Sequence, residues 1–148
     1  MIVLGCDKAG YLLKHRIMRY LKEKNIPYKD IGCEKDEEID YPVIAYKAAE
    51  IVASGEAEKG MLFCGTGIGI SIAANKVKGI RCALCGDTYS AAMSVEHNDC
   101  NMLALGGRVI GEELAVSIVD AWLGAKFAGG RHLRRVELVM RIEGSNAF

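Results

Sequence analysis

Short apolar runs alternate with helical patterns along the whole of this 148-residue chain, and that alternation limits the folds open to it. The runs Ile2–Cys6, Tyr28–Ile31, Met61–Cys64, Arg81–Cys85 and Met102–Leu105 read as strands. Between and after them the spacing predicts helices near Tyr11–Lys24, Pro42–Ser54, Gly69–Lys76, Thr88–Glu96 and Glu112–Gly124. In the last of these, Leu114, Ile118 and Trp122 recur every four residues with Ala115 and Val119 beside them, which makes one apolar stripe. Strands alternating with helices predict a parallel sheet covered on both faces, and unbroken apolar runs agree with strands buried on both sides. Gly129-Gly130 then interrupts the chain before a final helix, roughly Arg131 to Glu143. The expectation is one α/β domain over residues 1–148, a three-layer αβα sandwich with a C-terminal helix extension. In open sheets of this kind ligands bind beyond the carboxyl ends of the strands, near a topological switch point. Asp7, Cys64 and Asp87 fall at such ends.

The bulk numbers exclude some classes of function. Lys plus Arg and Asp plus Glu both count 19, so no global field favours nucleic acid or an anionic membrane surface. No apolar run approaches the roughly 18 residues needed to span a bilayer. The start, Met1 to Asp7, is charged too early for a signal peptide, and six cysteines without one suggest reduced thiols in a cytoplasm.

The richest stretch is Phe63-Cys64-Gly65-Thr66-Gly67-Ile68-Gly69-Ile70-Ser71, where a strand passes through a glycine-rich turn into a helix. Unpaired amides there, with the helix dipole, favour anions and with them the thiolate form of a nearby cysteine. Three alternating glycines let backbone approach a ligand closely, and Thr66 adds a hydroxyl. Rival chemistries fit less well. A P-loop needs a Gly-Lys-Ser/Thr ending that is missing, and a cysteine phosphatase needs an Arg where Ile70 stands. A dinucleotide fingerprint also fails at Ile70, although Asp87 lies where a ribose-binding acid belongs, so a nucleotide-binding module stays as an alternative.

Two further features suggest a site. His97, in Glu96-His97-Asn98-Asp99 just ahead of the fifth strand, is a proton carrier suited to neutral pH. Arg131 and Arg135 share a helix face with no Asp or Glu three or four residues away, whereas Arg134 and Arg141 both reach Glu137. Two guanidiniums without a counter-charge call for an external anion such as phosphate, with His132 beside them and Arg108 a third donor. Cys82 and Cys85 lie at odd spacing in a strand, point to opposite faces and do not share a metal; no metal site is expected.

These motifs resemble the RpiB/LacAB sugar-phosphate isomerases from end to end. The resemblance rests on Gly5-Cys6-Asp7, Asp40-Tyr41-Pro42, the run from Cys64 to Lys76, Glu96 to Asp99, Gly129 to His132 and Arg135-Val136. It implies a Rossmann-like sheet of five parallel strands and an aldose–ketose isomerase acting on a phosphorylated sugar without metal or organic cofactor. It also implies a homodimer or dimer of dimers, with the C-terminal arginines crossing to the neighbouring subunit's site. Carried over by position, Cys64 is the base that moves a proton between C2 and C1. Thr66 and the amides of Gly65, Gly67, Ile68 and Gly69 stabilise the enediolate, and His97 opens the sugar ring with Asp7 nearby. Asn98 meets a hydroxyl, Arg108, Arg131 and Arg135 hold the phosphate, and His132 and Tyr41 line the site. The family usually has His after Asp7, a ligand-binding residue; Lys8 stands there instead. D-ribose 5-phosphate is the default substrate, with a tetrose 4-phosphate or a hexose 6-phosphate (allose or galactose, for example) as the alternative.

Overall fold

The computed structural model describes residues 1–144. Its elements run β1 (Ile2–Cys6), a 3-10 turn (Lys8–Gly10), α1 (Tyr11–Glu23), β2 (Tyr28–Asp30), α2 (Tyr41–Ala53), β3 (Lys59–Cys64), α3 (Ile68–Ala74), β4 (Cys82–Leu84), α4 (Thr88–Asn98), β5 (Met102–Gly106), α5 (Glu112–Gly124) and α6 (Arg131–Glu143). All five strands pair in parallel, in the order β2-β1-β3-β5-β4.

The three central strands are the strongly apolar ones. β1 and β5 are buried throughout and β3 is buried from Gly60 to Cys64. Their side chains alternate between two core layers. Leu4, Phe63 and Leu105 pack with α1, α4 and α5, around the fully buried Trp122. Val3, Leu62 and Ala104 pack with α2 and α3. The edge strands β2 and β4 are three residues each, shorter than their apolar patterns predict. An edge strand has one partner; past β2 the chain still bonds β1, Ile31 and Cys33 donating to the Leu4 and Cys6 carbonyls, and polar side chains meet neighbouring main-chain N–H groups. Asp30 accepts from the Gly32 N–H, and Asn101 accepts from the Arg81 N–H.

Right-handed crossovers explain the layering. The step from β1 leftward to β2 carries α1 over one face, while the steps rightward to β3 and β4 carry α2 and α3 over the other. β1 and β3 are neighbours whose chains depart to opposite faces, so a crevice opens between their carboxyl ends. Asp7 and Cys64 sit on its two sides. α6 lies outside the layers, against α4, with Val136 its one buried residue.

Candidate active site

The crevice is built mainly from backbone. After Cys64, Gly67 takes φ 78°, a left-handed conformation natural to glycine, and a side chain there would meet Leu84 and the Leu105 backbone. That turn aims the Gly67 N–H at Cys64 Sγ, 3.1 Å away. Thr66 Oγ1 accepts the Ile68 N–H at 3.2 Å. Two of the amides expected to face a ligand are therefore already engaged. The N–H groups of Gly65, Thr66, Gly69 and Ile70 have no acceptor among the described residues. Cys64 is only 4% exposed, directly behind Gly65.

Around the turn the other predicted groups gather. The Asp7 N–H donates to the Phe63 carbonyl at 3.1 Å, tying the end of β1 to the end of β3. Asp7 Oδ1 caps the 3-10 turn by accepting the Gly10 N–H at 3.0 Å. Gly10 itself lies so close to the Phe63 carbonyl that no larger residue fits. Arg108 donates its backbone N–H to the Gly65 carbonyl at 2.9 Å, and its guanidinium lies over Gly65. The Tyr41 ring covers Gly69, where an added methyl would stand 2.7 Å from Cζ. Asp7, Lys8, Gly65 and Arg108 line a cleft of ≈ 660 Å³ whose opposite wall is Glu38, Ile39 and Asp40. Lys8 Nζ lies 3.7 Å from Glu38 Oε1.

Of that wall only Asp40 belongs to a motif that stands out in the sequence; Glu38 and Ile39 lie in a stretch with no periodic pattern. Asp40 precedes α2 yet its side chain makes no capping bond.

The remaining predicted residues form a second cluster. His97 and Asn98 end α4, and Arg131, His132 and Arg135 lie in the first two turns of α6. The His97 and His132 rings stack with centroids 4.2 Å apart and planes 5° apart. Partial desolvation, together with the positive charges of His97, Arg131 and Arg135, holds the His132 imidazole below the ordinary histidine range. Arg131 and Arg135 make no ion pair among the described residues. The cluster has cationic donors and no anion.

The two clusters do not meet within one chain. Cys64 ends β3 at the carboxyl edge of the sheet, whereas Asn98 closes the helix that leads back to the amino end of β5. Its carbonyl accepts from Arg81, just before β4 begins, and the Asn101 carbonyl accepts from Gly60 at the start of β3. The six residues of β3 put roughly 17 Å of strand between these ends. The expected proximity of His97 to Asp7 is therefore absent inside a single chain, because α4 runs antiparallel to the strands.

Two other expectations are resolved locally. Asp87 caps α4, Oδ1 accepting the Ser90 N–H at 2.7 Å, and these backbone bonds hold its carboxyl below the usual range. It does not line the cleft. Cys82 and Cys85 face opposite core layers, as their odd spacing requires. No described helix is long and apolar enough to cross a membrane.

Comparison with known proteins agrees with this arrangement. The sequence pattern of the ribose/galactose isomerase family matches residues 2–139. Ribose-5-phosphate isomerase B of Escherichia coli is 53% identical, covering 96% of this chain and 95% of its own. A D-erythrulose-4-phosphate isomerase of Pectobacterium atrosepticum is 45% identical, covering 93% and 91%. The structure of ribose-5-phosphate isomerase B from Clostridium thermocellum superposes with TM-score 0.95 at 52% identity, covering 97% of both chains. By sequence pattern, relatives and fold, the chain belongs to the ribose/galactose isomerase family.

Proposed function

We propose that this chain is a cytoplasmic, homodimeric isomerase interconverting D-ribose 5-phosphate and D-ribulose 5-phosphate at a site shared between two subunits. The observation that carries the chemistry is the Cys64 turn: an N–H bonded to the sulfur, with free amides of Gly65, Thr66 and Gly69 around it. An N–H donating to sulfur is complementary to a thiolate, and free amides are complementary to oxygen charge. The dimer is supported by the separation of the two clusters and by exposed apolar side chains around the turn. Tyr41, Ile68, Ile72 and Leu84 are each more than 40% exposed there.

The steps follow from these groups. His97 of the partner subunit takes the proton of the anomeric hydroxyl and passes it to the ring oxygen as the C1–O4 bond breaks, which opens the furanose. The Cys64 thiolate then removes the C2 proton as the C2–H electron pair forms the C1–C2 double bond and the carbonyl pair moves onto O1. Free amides and Thr66 meet the enediolate, each donor contributing a few kcal/mol. The thiol returns its proton to C1 while a proton passes from O2 to O1, leaving the ketose. Asn98 of the partner subunit contacts a hydroxyl, and the partner subunit's His132 and this subunit's Tyr41 border the sugar. Arg108 and the partner subunit's Arg131 and Arg135 hold the phosphate.

Replacing Cys64 with Ala removes the base, so kcat should fall about 10²–10⁴-fold while sugar-phosphate binding survives. Turnover undiminished in that variant would refute the reading. Lys8, on the cleft wall facing Glu38, favours a second reading with a four- or six-carbon phosphate as substrate. Comparing kcat/KM across tetrose, pentose and hexose phosphates decides between them.

A further inference from the structure

Arg81 has no place in the chemistry above, yet it makes more side-chain hydrogen bonds than any other cation among the described residues. It lies immediately before edge strand β4, with its side chain 16% exposed. Its Nε donates to the carbonyls of Asn98 at 2.9 Å and Asp99 at 3.0 Å. Its Nη2 donates to the Asp99 carbonyl at 2.6 Å and to Asp99 Oδ2 at 3.0 Å, and Nη1 reaches Met140 Sδ at 3.3 Å. One planar group therefore joins the sheet edge, the last turn of α4 and the C-terminal part of α6.

Helix ends leave carbonyls unpaired and carry partial negative charge, so a cation there is doubly suited. This end also needs fixing, because Asp99 adopts a left-handed conformation (φ 49°) uncommon for a residue with a side chain. The residues whose backbone Arg81 holds directly follow His97. The helix it touches through Met140 carries Arg131 and Arg135. Glu143 anchors the far end of α6 by accepting from the Gly79 N–H at 3.2 and 3.0 Å, and the His97–His132 stack anchors the near end. Arg81 stands between these two anchors.

We propose that Arg81 is a positioning residue that sets His97 and Asn98 at a fixed geometry relative to the arginines of α6, so that ring opening and phosphate capture operate on one substrate. This rests on the reading of the site given above. Lysine keeps the charge but has no fork, and it cannot satisfy two carbonyls, a carboxylate and a thioether together.

The test separates ring opening from proton transfer. Aldopentose 5-phosphate closes a furanose through its 4-hydroxyl. The ketopentose 5-phosphate, its 5-oxygen phosphorylated, has no free hydroxyl to close that ring and stays open. Isomerisation of the aldose therefore needs His97, whereas deuterium incorporation from solvent at C1 of the ketose needs only the Cys64 turn and the phosphate clamp. In Arg81→Lys, KM should rise for both sugars. The kcat for the aldose should fall about tenfold further than the exchange rate at saturating ketose. Asp99→Asn, which removes the charge from one arm of the contact, should shift both quantities in the same direction by less, and it carries the test if Arg81→Lys does not fold. Unchanged constants overturn the proposal. An equal fall in both rates at constant KM also overturns it, since that reports a smaller folded fraction. If the wild-type protein turns over neither sugar, the reading of the site fails instead.

Discussion

The two clusters are built differently. The crevice beside Cys64 is a backbone structure: glycine turns, strand ends and amides on the buried central strands position nearly everything in it. The α4/α6 cluster is a side-chain structure, with stacked imidazoles and unpaired guanidiniums on a helix that buries a single residue. Backbone geometry sets where charge is stabilised during reaction, and exposed long side chains suit capture of a charged ligand. Changes in the crevice should therefore act on kcat and on folding together, and changes at the arginines of the cluster on KM with little cost in stability.

The strongest challenge to that division is Gly67→Ala. It forces a side chain into a left-handed turn and against Leu84, so stability should fall by about 1–3 kcal/mol. The Sγ contact should be lost with it, and kcat should drop even in the fraction that remains folded. Denaturation midpoints beside single-turnover rates check this; a variant of normal kcat would detach the Gly67 N–H from catalysis. Next comes Arg131→Ala combined with Arg135→Ala. Each lost charge-assisted bond is worth about 1.5–3 kcal/mol, so KM should rise at least tenfold with the melting temperature nearly unchanged. A fall in kcat alone would show the arginines acting on the reaction itself.

A smaller effect concerns the thiols beneath the two regions. Burial pushes Cys6, under the crevice, up to about 12, and Cys85 and Cys100, beside α4, up to about 11. An unfolded thiol ionises near 9, so between that pH and the folded values the unfolded chain binds fewer protons than the native one. Stability should be intact below about pH 9 and decline as pH rises toward 11–12. Midpoints at pH 8 and pH 10 measure the slope, and Cys85→Ala should make it shallower. An unchanged slope would mean that this thiol ionises alike in both states.

Much of this was legible in the sequence. The apolar runs gave β1, β3 and β5, the odd spacing of Cys82 and Cys85 gave opposite faces, and the missing counter-charges singled out Arg131 and Arg135. The distance between His97 and Cys64 was also implicit. A residue just ahead of a strand in a parallel sheet lies at the amino end, and a residue just past a strand lies at the carboxyl end. Of the cleft wall, Asp40 was legible through the motif Asp40-Tyr41-Pro42, whereas Glu38 and Ile39 were not, because an irregular loop carries no period. Nor was Arg81, whose partners are carbonyls and a thioether about 18 and 59 residues away.

The central claim is that Cys64 of one subunit works with His97 of another, and coexpression of two inactive variants tests it most directly. A chain carrying Cys64→Ala and a chain carrying His97→Asn each lack one half of every site in their own homodimers. Random pairing makes half the dimers mixed, and each mixed dimer restores one of its two sites, so the account predicts about a quarter of wild-type activity. Activity no higher than that of the two variants measured separately, with mixed dimers present, would contradict it.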